Sequence, residues 1–106
     1  MDLDYIRNKV SSGEYDLSEH AHTERQAEHI AIKEIEETIF TGEIIESYPK
    51  DPRGKSVLIG AKLKSGSLHV VCGSRNDRIL LVTVYEPKLP KWSNYKTRSR
   101  SLEGRI

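Results

Sequence analysis

The feature that most constrains how this chain can fold is a change of hydrophobic period at Gly42. Before it, apolar residues recur every three or four positions, as on helices with one buried face. After it, they alternate or run together in short segments rich in Val, Ile and Leu, separated by Gly, Pro, Asp and Ser. Helices followed by strands, without βαβ alternation, predict an α+β domain with its helices gathered on one face of an antiparallel sheet.

The period also marks the elements. Leu3, Ile6 and Val10 predict a helix over Asp2–Ser11, with Asp2 or Asp4 near its start and Ser12-Gly13 as its stop. A second helix is expected to open at Asp16 or Ser18 and run to about His29, with Leu17, Ala21, Ala27 and Ile30 as a weak apolar face. Asp16 and Glu19 have the spacing of a capping box. Ile32, Ile35 and Ile39 stripe a third helix, and Gly42 stands where a C′ glycine belongs. Four strands are then expected: Glu43–Tyr48, Ser56–Leu63, Ser67–Gly73 and Ile79–Glu86, with Ser65-Gly66 as a hairpin turn.

At 106 residues the chain has the size of one domain able to bury a core. No apolar run is long enough to span a bilayer, and the first ten residues are too charged for a signal peptide. A lone Cys72 can form no internal disulfide, so a reducing, cytoplasmic setting is expected. The net charge of +1 is unevenly spread: from Lys88 onward six basic residues face Glu103 alone, and the rest of the chain is mildly acidic. Residues 1–90 are therefore read as the domain and 91–106 as a basic tail. Such a tail is either a solvated terminus or a grip for a polyanion. Trp92 likewise either folds back to cover an edge of the sheet or stacks on single-stranded RNA.

Strand alternation assigns faces. Leu80, Val82 and Val84 are expected on the helix-packed side, leaving Ile79, Leu81, Thr83 and Tyr85 on the open side. Leu68, Val70 and Cys72 form the apolar face of the preceding strand, with His69 and Val71 opposite, so antiparallel register brings His69 toward Thr83 and Tyr85. A strand histidine between apolar neighbours is ordinarily a hydrogen-bonded structural residue, and a strand tyrosine ordinarily packs. A second histidine, His20, lies in the first turn of the second helix, with Glu24 at i+4. No H-E-x-x-H run, glycine-rich phosphate loop, G-x-S-x-G elbow or dinucleotide fingerprint occurs, and no metal or cofactor is expected.

Ser18-Glu19-His20-Ala21, Ile30, Gly42-Glu43-Ile44-Ile45-Glu46-Ser47-Tyr48-Pro49, Leu68-His69-Val70-Val71, Thr83-Val84-Tyr85-Glu86-Pro87 and Trp92 occur in one order. Together they resemble the prokaryotic domain-of-unknown-function family 4258. The resemblance implies a RelE- or barnase-like ribonuclease superfold, a toxin-like activity on RNA and a zinc-finger-type antitoxin as protein partner. It points to His20, His69, Thr83 and Tyr85 as the site: one imidazole takes the ribose 2′-hydroxyl proton and the other, or Tyr85, protonates the leaving 5′-oxygen. The family tends to carry arginines at positions that are Glu24 and Glu28 here. The cation that phosphoryl chemistry needs is then expected from Arg25 or from Lys96, Arg98 and Arg100 of the tail. The alternative is a non-catalytic module that binds protein or RNA on the same sheet face.

Overall fold

The computed structural model describes residues 1–52, 54–89 and 91–98. Three helices, α1 (Leu3–Ser11), α2 (Glu19–Ala27) and α3 (Ile32–Thr41), pack on one sheet. Its strands are β1 (Tyr15–Leu17), β2 (Glu43–Tyr48), β3 (Ser56–Leu63), β4 (Gly66–Arg75) and β5 (Arg78–Tyr85), in the order β1-β5-β4-β3-β2. The α+β architecture is thus as read from the period, but the sheet has five strands and is mixed rather than four and antiparallel. The added strand is β1, which pairs parallel with β5, Tyr15 opposite Ile79 and Leu17 opposite Leu81. Three residues carry no alternation, and their partner lies more than sixty residues away, so local pattern left Tyr15 in a connection and read Asp16 and Leu17 as a possible start of the second helix.

Pairing of β1 moves the start of α2. Ser18, not Asp16, is the N-cap: its Oγ accepts from the Ala21 N–H at 3.0 Å. Asp16 instead faces Arg78, whose Nε donates to it at 2.8 Å. At the other end α2 stops at Ala27, and His29 takes a left-handed conformation with φ 56. The Ile30 N–H bonds to the Arg25 carbonyl at 2.8 Å and the His29 N–H to Gln26 at 3.3 Å, the two bonds of a Schellman end. Gly42 closes α3 with φ −86, outside the left-handed region. Its glycine is required for space: a Cβ there would lie 2.5 Å from the carbonyl oxygens of both Gly60 and Thr38.

Ile6 and Val10 of α1, Ala21 of α2 and Ile35 and Ile39 of α3 meet one face of the sheet. That face is made by Val57, Ile59, Ala61 and Leu63 of β3, Leu68, Val70 and Cys72 of β4, and Ile79, Leu81 and Val84 of β5. Truncating one of the fully buried isoleucines to alanine costs about 2–5 kcal/mol. The β5 spacing corrects the expected face. Val71 pairs with Thr83 but Cys72 with Leu81, so Val82 is an extra, bulged residue. Before the bulge Ile79 and Leu81 point to the core; after it Val84 does, while Thr83 and Tyr85 stay off it. No helix among the described residues is long and apolar enough to cross a membrane.

Candidate functional site

The site forms where the outer edge of β5 meets α2. β1 satisfies the first half of that edge, and the Ser18 N–H continues it to the Leu81 carbonyl at 3.0 Å. Ser18 Oγ donates to the Val82 carbonyl at 2.9 Å. Beyond this point the chain has turned into a helix, and side chains take over. Glu24 Oε1 accepts from the Val84 N–H and Glu28 Oε1 from the Glu86 N–H, both at 3.0 Å. The two carboxylates therefore act as the missing neighbour strand, an arrangement that keeps an edge from pairing with another chain.

Glu24 uses its second oxygen on His20, Oε2 to Nε2 at 3.3 Å. His20 is 67% exposed and stands over an open cleft of about 660 Å³ lined also by Ser18, Tyr48, Ser56, Val71 and Thr83. A second cleft, about 450 Å³, is lined by Glu24, Thr83, Tyr85, Lys88, Lys91 and Trp92 among others. Thr83 belongs to both.

His69 lies on β4 opposite Tyr85 in register and is fully buried. Its Nδ1 is 2.9 Å from the Tyr85 hydroxyl, and its Nε2 meets the carbonyl of Tyr95. A carbonyl only accepts, so Nε2 carries the hydrogen. Burial holds the imidazole below its ordinary pKa, outweighing the Tyr95 carbonyl and Glu46, which favour the charged form. In the neutral ring Nδ1 is then an acceptor, and the Tyr85 O–H must donate to it. Burial raises the Tyr85 pKa, partly offset by the Trp92 indole N–H and by Arg98.

What buries His69 is the segment 91–98, a strap across the open face of the sheet. Asn94 Oδ1 accepts from the N–H groups of Lys96 and Thr97, both at 2.9 Å, and Trp92 pairs with Arg98. Trp92 is only 3% exposed and sets its ring edge-on to His69, centroids 4.5 Å apart. Arg98 forks onto Glu46 of β2, Nε to Oε2 at 2.7 Å and Nη2 to Oε1 at 2.9 Å, and lies 4.6 Å from the Trp92 ring. That hydrogen-bonded pairing, ahead of all else, holds the Glu46 carboxyl below its usual range. Tyr48 also donates to Glu46 at 2.6 Å, and burial followed by this carboxylate raises its pKa. Gly60 makes room beneath: its absent Cβ would sit 3.0 Å from the Tyr95 carbonyl oxygen and 3.1 Å from the His69 ring.

Of the expected site residues, His69 and Tyr85 are joined directly, and Thr83 lies between Tyr85 and His20 in the lining of the clefts. No hydrogen bond or ring contact joins the two imidazoles among the described residues. Arg25 lines neither cleft, and its Nε is buried with no hydrogen-bond partner among the described residues. Arg98 is committed to Glu46, Lys96 lies 5.8 Å from the Tyr95 ring, and Arg100 falls outside the described residues. Sequence reasoning missed Glu46, Tyr48, Gly60 and Tyr95. A glycine amid apolar strand residues was a usable signal of close backbone approach; the Glu46–Arg98 pair, 52 residues apart, left none. Among the described residues no cluster of three or more His, Cys, Asp or Glu side chains is placed to hold a metal ion.

The family model described as domain of unknown function (DUF4258) matches residues 17–86, from the end of β1 through β5 and one residue past it. No match was found among curated proteins. The chain belongs to that family.

Proposed function

We propose that this member of the family is a metal-independent, RNA-cleaving, toxin-like domain of RelE/barnase type, held in check by a zinc-finger-type antitoxin. The observation that carries the reading is the direction of the Tyr85–His69 hydrogen bond. Tyr85 gives its hydrogen to a buried neutral imidazole, so of its two oxygen lone pairs one meets the Trp92 indole N–H and the other is offered to the cleft it lines. His69 then reaches substrate only through Tyr85. In the cleavage step the ribose 2′-oxygen attacks the adjacent phosphorus and passes its proton to Tyr85 Oη, while the Tyr85 proton moves to His69 Nδ1. The P–O5′ bond breaks, and the 5′-oxygen takes a proton from the His20 imidazolium, whose Nε2 lies 3.3 Å from Glu24 Oε2. The products are a 2′,3′-cyclic phosphate and a 5′-hydroxyl. Lys88 and Lys91 supply the positive charge beside the phosphate. Burial that keeps His69 neutral also makes its imidazolium costly, so turnover is expected to be slow.

A specific observation favours the second reading, a non-catalytic binding module. Glu24 and Glu28, where the resemblance led one to expect arginines, are spent on the β5 edge and bring no cation to the clefts. The test is a labelled RNA oligonucleotide incubated with the full chain in chelator, across pH and salt. Cyclic phosphate ends that vanish in His20→Gln and Tyr85→Phe support the nuclease. RNA left intact throughout, with harmless expression of the chain alone, leaves the binding module; activity retained by both variants exposes a contaminating nuclease.

A further inference from the structure

We infer that Glu46 and Arg98 are positioning residues: by clamping the strap 91–98 to β2 they fix which nitrogen of His69 carries its hydrogen and which way the Tyr85 O–H points. The chain of contacts is continuous. Arg98 forks onto Glu46 and covers the Trp92 ring, Trp92 covers His69, and the Tyr95 carbonyl between them receives the His69 Nε2–H. With the strap lifted, Nε2 meets water, either nitrogen can hold the hydrogen, and Tyr85 is free to donate outward. Arg98 is thereby engaged with Glu46 within the chain, a role other than the RNA contact first expected of it. Only the catalytic consequence rests on the ribonuclease reading; the clamp itself does not.

The groups that face His69 are Tyr85 on β5, Glu46 on β2, and Arg98 with the Tyr95 carbonyl on the strap; Gly60 on β3 brings no charge. This makes the sign of two variants decisive. Arg98→Gln and Glu46→Gln both break the clamp, so both are expected to raise the open-strap population about two- to fivefold, as for a partly exposed ion pair. If His69 takes up a proton only with the strap open, its titration moves up by the logarithm of that factor, about 0.3–0.7 pH. Pure electrostatics predicts opposite signs: losing Arg98 raises the titration, and losing the Glu46 charge lowers it.

The experiment follows the ring nitrogens of His69 by ¹⁵N NMR in the full chain, with acrylamide quenching of Trp92 as a second readout of the strap. The clamp is supported if both variants raise the titration point and the quenching, and if Arg98→Lys recovers part of the loss. Gly60→Ala, which crowds the Tyr95 carbonyl and the His69 ring without touching the ion pair, should loosen the strap as read by Trp92 quenching. A titration that falls in Glu46→Gln, or quenching unchanged in both folded variants, overturns the inference. If the NMR result holds while the wild-type chain leaves RNA intact, the nuclease reading fails and the clamp stands.

Discussion

Glu24→Ala separates the structural from the chemical role of the α2 carboxylates. Glu24 Oε1 is the acceptor for the Val84 N–H at 3.0 Å, and Val84 is fully buried. Removing an acceptor from a buried amide costs about 1–3 kcal/mol. The Glu24 side chain is 23% exposed, so water entering its space recovers part of this. About 1.5 kcal/mol, in the lower half of that range, is therefore expected. For a domain of this size that lowers Tm by about 6–12 °C. Glu24→Gln keeps an oxygen acceptor and should lose less than half as much. The local readout is hydrogen exchange of the Val84 amide, which should accelerate about tenfold in Glu24→Ala and little in Glu24→Gln. Unchanged melting together with unchanged Val84 exchange would refute the claim that this carboxylate completes the edge of β5.

Three further outcomes follow from single features. His69 in the folded chain sits below its usual 6.5, so under that pH the unfolded chain binds more protons and stability should fall as pH drops from about 6.5 toward the folded value; urea midpoints that stay flat from about pH 7 to 5 would contradict it. His29 holds a left-handed φ at the end of α2, so His29→Gly should stabilise the chain by about 0.5–1 kcal/mol, seen as a higher Tm, and a lower one would mean the imidazole contributes more than the strain. Cys72 is fully buried, and burial pushes its thiol up to about 12. An aromatic disulfide reagent should therefore react only at the rate of unfolding, and immediate labelling of native protein would argue against that packing.

Most of the architecture was legible because it rests on local period. Ile6 and Val10, Ile35 and Ile39, and Leu68, Val70 and Cys72 reach the core from the stripes their spacing predicts. What was not legible depends on long-range pairing. β1 is three residues long and exists because β5 offers it an edge. The β5 bulge transfers Ile79 and Leu81 to the core face and puts Val82 on the other, which no alternation rule anticipates. At the site, the approach of His69 to Tyr85 followed from strand register. A partly buried, hydrogen-bonded His69 was the ordinary reading of a strand histidine, but what completes its burial was not legible. Trp92, expected at an edge of the sheet, covers the ring on the open face within a strap read as a basic tail.

The two carboxylates of α2 bring fold and function into competition for the same positions. Arginine at 24 or 28 has only donors, so it cannot accept from the Val84 or Glu86 N–H as Glu24 and Glu28 do. A chain with arginines there must satisfy that edge otherwise, and gains cations beside the cleft in exchange. In this chain the edge is closed; Lys88 and Lys91 line the Tyr85 cleft, the first of them 3.5 Å from Glu86, and Arg98, the cation that acts on Tyr85, is bound to Glu46. Replacing the glutamates with arginines one at a time should therefore move stability and RNA affinity in opposite directions. A gain in affinity with no loss of stability would mean that the carboxylates were never holding the strand.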